Sequence, residues 1–211
     1  MTTTTTERRP KRVSAAERRT QYLRCAADLA LSDGVAAVTM DAVAGAAGVN
    51  KALLYRQFAN RGELLLALFD RETSALDRAV LGAVEGVEGF EPQLRAWATA
   101  WFDFVGTRGL LLGRLMEART VSDDVARRHH ERNHTIADEM GAWYGAAFGL
   151  PTDVARDAGA MLYAALGGVI ERWAADPTAA TRARLEPAYV DAVLGTLQQL
   201  AAAHGAGAAD R

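Results

Sequence analysis

The chain has 211 residues, 50% hydrophobic and 24% charged, with a formal net charge of -2 and a single cysteine, Cys25. These figures exclude an internal disulfide and a cage of several thiolates, and with no run of about 18 apolar residues a membrane-spanning helix is not expected. The whole-chain charge conceals a split: residues 1–61 hold 10 Lys/Arg against 5 Asp/Glu, while residues 62–211 hold 14 against 21, as expected when one end of a molecule meets a polyanion.

Residues 1–14 carry threonines and the basic side chains Arg8, Arg9, Lys11 and Arg12 around no apolar centre. They read as a flexible basic arm rather than a secretory leader, and a cytoplasmic address with no membrane partner is the expectation. Beyond the arm, apolar residues recur at spacings of three and four without sustained alternation, so the fold is expected to be all-α. About nine helices are read, near 15–33, 40–47, 51–58, 61–85, 91–107, 110–120, 122–147, 153–175 and 183–203. Pro92 and Pro187 each precede an amphipathic run and are read as helix starts, because the N–H that proline lacks has no partner in a first turn. Residues 205–211, rich in Ala and Gly, read as a flexible tail.

The most specific local pattern lies between Met40 and Phe58. Ala44 is a small residue on the inner face of the first short helix, Gly48 can take the positive φ of a sharp helix-ending turn, and Val49 and Leu54 supply apolar anchors on either side. Asn50 stands where its side chain can cap the next helix. This is the spacing of a helix-turn-helix, whose second helix enters the DNA major groove. The groove-facing candidates are Asn50, Lys51, Leu53, Tyr55 and Arg56: Lys51 and Arg56 for phosphates or guanine edges, Tyr55 for a phosphate, Leu53 for a thymine methyl. Thr39 and Arg61 are read as further contacts to the phosphate backbone.

Residues Arg19 to Leu65 resemble the DNA-binding domain of the TetR family of transcriptional regulators. The resemblance is carried by Tyr22-Leu23, Cys25-Ala26, Leu29, Gly34, Thr39, Val43-Ala44, Ala47-Gly48-Val49, Lys51, Leu54-Tyr55, Phe58, Arg61 and Leu64-Leu65. Ala30, Ala52, Leu53 and Gly62 depart from the common pattern. The resemblance implies a helix-turn-helix domain over 15–60 and a helical effector-binding and dimerisation domain over 61–204. It further implies a homodimer that binds a pseudo-palindromic double-stranded operator, acts as a repressor, and is released by a small-molecule effector. No catalytic residue and no cofactor is read, so the chain is expected not to be an enzyme.

Later in the chain, His130-Glu-Arg-Asn-His134 matches the H-E-x-x-H pattern of zinc hydrolases. On a helix the pair faces away from the apolar arc of Val125, His129, Ile136, Met140 and Trp143, and no third ligand follows at a fitting spacing, so no metal is expected. A zinc hydrolase and a DNA-binding regulator without an effector are the alternatives. An apolar effector cavity is read among the middle helices, lined by Trp97, Trp101, Met116, His129, Met140 and Trp143. The last two helices carry wide apolar stripes, Leu162, Leu166, Val169, Ile170 and Trp173, then Val190, Val193, Leu194 and Leu197. Gly167-Gly168 inside the first stripe suggests close approach of another helix, and the two stripes are read as an isologous four-helix seam between subunits.

Overall fold

Nine α-helices and one turn of 3₁₀ helix, Val35–Ala37, make up the described residues of a computed structural model, 14–108, 111–117 and 123–205. The helices are α1 (Ala15–Asp33), α2 (Met40–Ala46), α3 (Lys51–Tyr55), α4 (Arg61–Val84), α5 (Phe90–Arg108), α6 (Leu111–Glu117), α7 (Asp123–Phe148), α8 (Thr152–Ala174) and α9 (Ala179–Gly205). No strand occurs among these residues, so the all-α expectation holds. The expected arm, with Arg8, Arg9, Lys11 and Arg12, and residues 206–211 of the tail lie outside them.

The helix starts follow local chemistry. Ser14 and Glu17 form a capping box, the Glu17 N–H donating to Ser14 Oγ at 3.1 Å and the Ser14 N–H to Glu17 Oε2 at 2.7 Å. Thr39, Asn50 and Asn60 cap α2, α3 and α4 by accepting the N–H groups of Ala42, Ala52 and Glu63. α9 starts earlier than the proline reading places it. Thr178 Oγ1 accepts the Thr181 N–H, and Thr181 Oγ1 in turn donates to Asp176 at 2.7 Å, so this threonine pair caps a helix that already runs through Pro187. α3 ends at Tyr55 rather than 58, because the Gln57 and Phe58 N–H groups both turn back to the Leu54 carbonyl.

Two apolar cores result. The first gathers Tyr22, Leu23, Ala26 and Ala30 of α1 with Val43, Ala44, Leu54 and Phe58. It also takes in Leu64, Leu65, Leu68 and Phe69 of α4, Leu111 and Leu115 of α6, and Val125 of α7. The second gathers Leu76 and Val80 of α4 with the inner faces of α5, α7, α8 and α9. α4 therefore belongs to both cores, its first half to one and its second half to the other, and partly buried Leu112 packs against each.

The most extensive helix pair is α7 with α8, and two glycines permit it. A Cβ on Gly159 would lie 2.3 Å from the Ala137 carbonyl oxygen, and one on Gly141 would lie 2.7 Å from that of Ala155. α9 is fixed to α5 by Arg182, which donates to Asp103 at 2.6 Å and to Glu186 at 2.7 Å, while Thr99 of α5 bonds the same Glu186.

Candidate nucleic-acid interface and effector cleft

The turn between α2 and α3 follows from Gly48. Its φ of 66° is open to glycine without a Cβ penalty, and it lets the Val49 N–H reach the Ala44 carbonyl at 3.0 Å. Leu54 and Phe58 are wholly buried beneath α3, and α1 holds both ends of the unit. Gln21 donates to the Ala47 carbonyl at 3.2 Å, and Arg19 donates to the Gln57 carbonyl at 3.1 Å while its guanidinium lies 4.4 Å from the centre of the Phe58 ring. Sequence reasoning missed these two clamps, since the partners stand 26 and 38 residues away.

With Leu54 pinned inward, the rest of α3 turns outward. Thr39, Asn50, Lys51, Leu53, Tyr55 and Arg56 are all exposed. Leu53 and Tyr55 are 36% and 45% exposed, and both are among the exposed large hydrophobic residues of the described chain. Lys51 lies 2.6 Å from Asp41 of α2 and 5.8 Å from the centre of the Tyr55 ring. The hydrogen bond to Asp41 raises the Lys51 pKa above its ordinary value, so the ammonium is charged and already has an anionic partner.

Arg61 differs from its expected role. Its Nε–H donates to the Val38 carbonyl at 2.6 Å and its Nη2 group to the Val35 carbonyl at 2.7 Å. The guanidinium thus ties the first residue of α4 to the 3₁₀ turn instead of reaching outward, and the Val35 carbonyl accepts it in addition to the Val38 N–H of the turn itself.

Between α4, α5 and α7 lies a cleft of about 800 Å³. The structure brings Trp97, Trp101, Met140 and Trp143 to its wall, with Leu76, Val80, Leu81 and Val84 of α4 opposite. His129 is not among its lining. It packs edge-on to Phe69 with ring centres 6.2 Å apart and meets Asn133 at 3.0 Å. The Met116 side chain lies outside the described residues. The wall is also more polar than the apolar stripes imply. Arg132 of α7 grips Asp77 of α4 through two hydrogen bonds, of 2.6 and 3.3 Å. One turn earlier, Arg128 lies 3.3 Å from Asp70. Glu131, Glu139 and Thr135 stand exposed along the same helix.

The expected subunit seam is largely spent inside the protomer. Leu162, Leu166, Trp173, Val190, Val193 and Leu197 are buried in the chain's own cores or between its helices, and Val169, Ile170 and Leu194 pack partly buried against the second core. The outward side of α8 runs instead through Met161, 59% exposed, with exposed Ala164, Ala165 and Gly168. A Cβ on Gly167 or Gly168 would meet nothing within 4 Å, so among the described residues no neighbouring helix accounts for the glycine pair.

His130 and His134 are both exposed, with ring centres 4.4 Å apart. Among the described residues no group of three or more His, Cys, Asp or Glu side chains is placed to hold a metal ion, and no helix is long and apolar enough to cross a membrane.

The model of bacterial regulatory proteins of the tetR family matches residues 23–68. The HTH-type transcriptional activator FasR of Mycolicibacterium smegmatis is 37% identical over 98 residues, which are 46% of this chain and 45% of that protein. The match therefore spans about half the length of this curated relative. Among solved structures, a transcriptional regulator from Rhodococcus sp. RHA1 superposes with a TM-score of 0.71 at 20% identity, covering 86% of this chain and 96% of that one. The flavonoid-responsive regulator FrrA superposes with a TM-score of 0.62 at 25% identity, covering 88% and 97%.

Proposed function

We propose that the chain, whose residues 23–68 match the tetR-family model and whose described length superposes on a transcriptional regulator, is a TetR-family protein that works as a ligand-responsive, DNA-binding transcriptional repressor. The observation that carries this reading is the outward face of α3. Leu54 and Phe58 are buried to the last atom, and Lys51, Leu53, Tyr55 and Arg56 are left exposed on a helix short enough to seat in a major groove. Thr39 and Asn50 flank them and can position the phosphate backbone.

Two such heads on a homodimer bind a pseudo-palindromic operator in successive major grooves. Support for the dimer comes from the outer strip of α8, where exposed Met161, Ala164, Ala165 and Gly168 recur at helical spacing and a Cβ on Gly168 would meet nothing within 4 Å. Support for an effector comes from the cleft, whose wall includes the second half of α4, the helix that also roots the reading head. An effector that favours the arrangement in which the heads no longer match the half-site spacing shifts the population away from DNA.

FasR is named an activator, and a reporter driven by the neighbouring promoter separates the two senses: loss of this gene raises expression under repression and lowers it under activation. The DNA reading itself is tested by a gel shift on intergenic DNA beside the gene. Wild-type protein is expected to bind, and Lys51→Ala and Tyr55→Ala are each expected to weaken binding by about 1 kcal/mol or more. Undiminished binding by both variants would overturn the assignment of α3.

A further inference from the structure

We propose that the cleft takes an amphiphile with a single carboxylate, whose head group engages Arg132 and draws it away from Asp77. This rests on the reading of the cleft as an effector site and names the chemistry that site selects. The argument is one of depth and of free donors. Arg132 is the most enclosed charge in the cleft, its side chain 17% exposed against 45% for Asp77, while Glu131 and Glu139 are exposed on α7. The charge that a seated ligand finds most shielded from water is therefore a cation.

The guanidinium carries five N–H donors in a planar fork. Two of these are committed to Asp77, and no other acceptor engages them among the described residues. A carboxylate accepts two parallel N–H donors in the geometry that guanidinium presents. Arg128, one turn away and also on the cleft wall, adds a second positive charge on the same side of α7. An ammonium ligand finds the most enclosed carboxylate, Asp77, already bridged by Arg132, and the lining's other carboxylates, Glu131 and Glu139, exposed to water. The apolar remainder of the ligand has Trp97, Trp101, Met140 and Trp143 against it, opposite the aliphatic face of α4.

The regulatory consequence follows from which helices the ion pair joins. Asp77–Arg132 bridges α4 to α7 about two thirds of the way along α4 from its reading-head end. Drawing Arg132 onto a ligand loosens that bridge, so binding energy at the cleft is spent on freeing α4.

Tryptophan fluorescence of the full chain tests this, because three of its four tryptophans line the cleft. The probes are decanoate, decyltrimethylammonium and 1-decanol, each kept below its aggregation threshold. Decanoate is expected to perturb the emission saturably and to bind at least tenfold more tightly than the other two. Arg132→Gln should lose at least tenfold in decanoate affinity and keep its 1-decanol affinity, a control that also reports an intact cleft. Asp77→Asn, which removes the competitor for Arg132, should bind decanoate several-fold more tightly than wild type. Tighter binding of the ammonium probe, or equal decanoate affinity in Arg132→Gln, would overturn the proposal and leave the cleft standing as a site. No saturable change with any probe would remove both the proposal and the effector reading, and neither result bears on the gel shift that tests DNA binding.

Discussion

Arg61 and Lys51 show how two basic residues beside one reading helix come to do different work. Lys51 is exposed and held by Asp41, a partner it can exchange for a phosphate. Arg61 is spent on the Val35 and Val38 carbonyls and holds α4 in place. The two roles separate in the salt dependence of binding. Lys51→Ala or Arg56→Ala should reduce the slope of log affinity against log salt by about 0.9 each, the loss of one phosphate contact. Arg61→Ala should leave the slope unchanged and lower the thermal midpoint of the free protein, measured by circular dichroism. Asp41→Asn, which removes the competing anion beside Lys51, should tighten binding several-fold at low salt and by less as salt rises. Asn50 was readable as a cap because a cap needs only its own neighbours in sequence. Arg61 was not readable as a clamp, because its partners are carbonyls that become available only once the 3₁₀ turn has formed beside α4.

The glycines of α8 make the same point for a helix. The pair Gly167-Gly168 invites a packing explanation, yet each faces open space, while the real close approach is made by Gly141 and Gly159 of α7 and α8. A glycine's place in the sequence is local, but what lies opposite it is set by the crossing of α7 and α8, whose close-packed glycines stand 18 residues apart. Gly159→Ala should therefore destabilise the fold by about 1–3 kcal/mol or more, since the added methyl meets backbone that cannot yield. Gly168→Ala should raise the stability of an isolated protomer by up to about 1 kcal/mol and weaken self-association if this strip is the subunit seam. Denaturant midpoints and sedimentation across a dilution series read the two effects separately, and unchanged association in Gly168→Ala would move the seam elsewhere. The apolar stripes of α8 and α9 were read correctly as apolar. A stripe on a single helix does not say whether its partner is the same chain or another, and Leu166, Val193 and Leu197 turn out to be satisfied at home. Asp77 and Arg132 were overlooked for the complementary reason: each looks like an ordinary charge on a polar helix face until α4 and α7 are laid side by side.

At the scale of the molecule, the reading head and the helical body share α4, α6 and the side chain of Leu112. All four tryptophans, Trp97, Trp101, Trp143 and Trp173, lie outside the reading head. Tryptophan emission therefore reports the body and far-ultraviolet dichroism reports every helix. The two signals should fall together in a single denaturant transition, in the two-state manner, and Leu112→Ala should shift both midpoints equally. A dichroism transition that precedes the fluorescence change would show the head melting on its own. The same sharing gives α4 a mechanical character. At 24 residues it is a rod about 36 Å long, and a rod delivers an angle rather than a distance. A tilt of about 5° about its cleft end carries the far end through about 3 Å, close to the 3.4 Å rise from one base to the next, so a disturbance too slight to alter either core is enough to put a reading helix one step out of phase with its half-site.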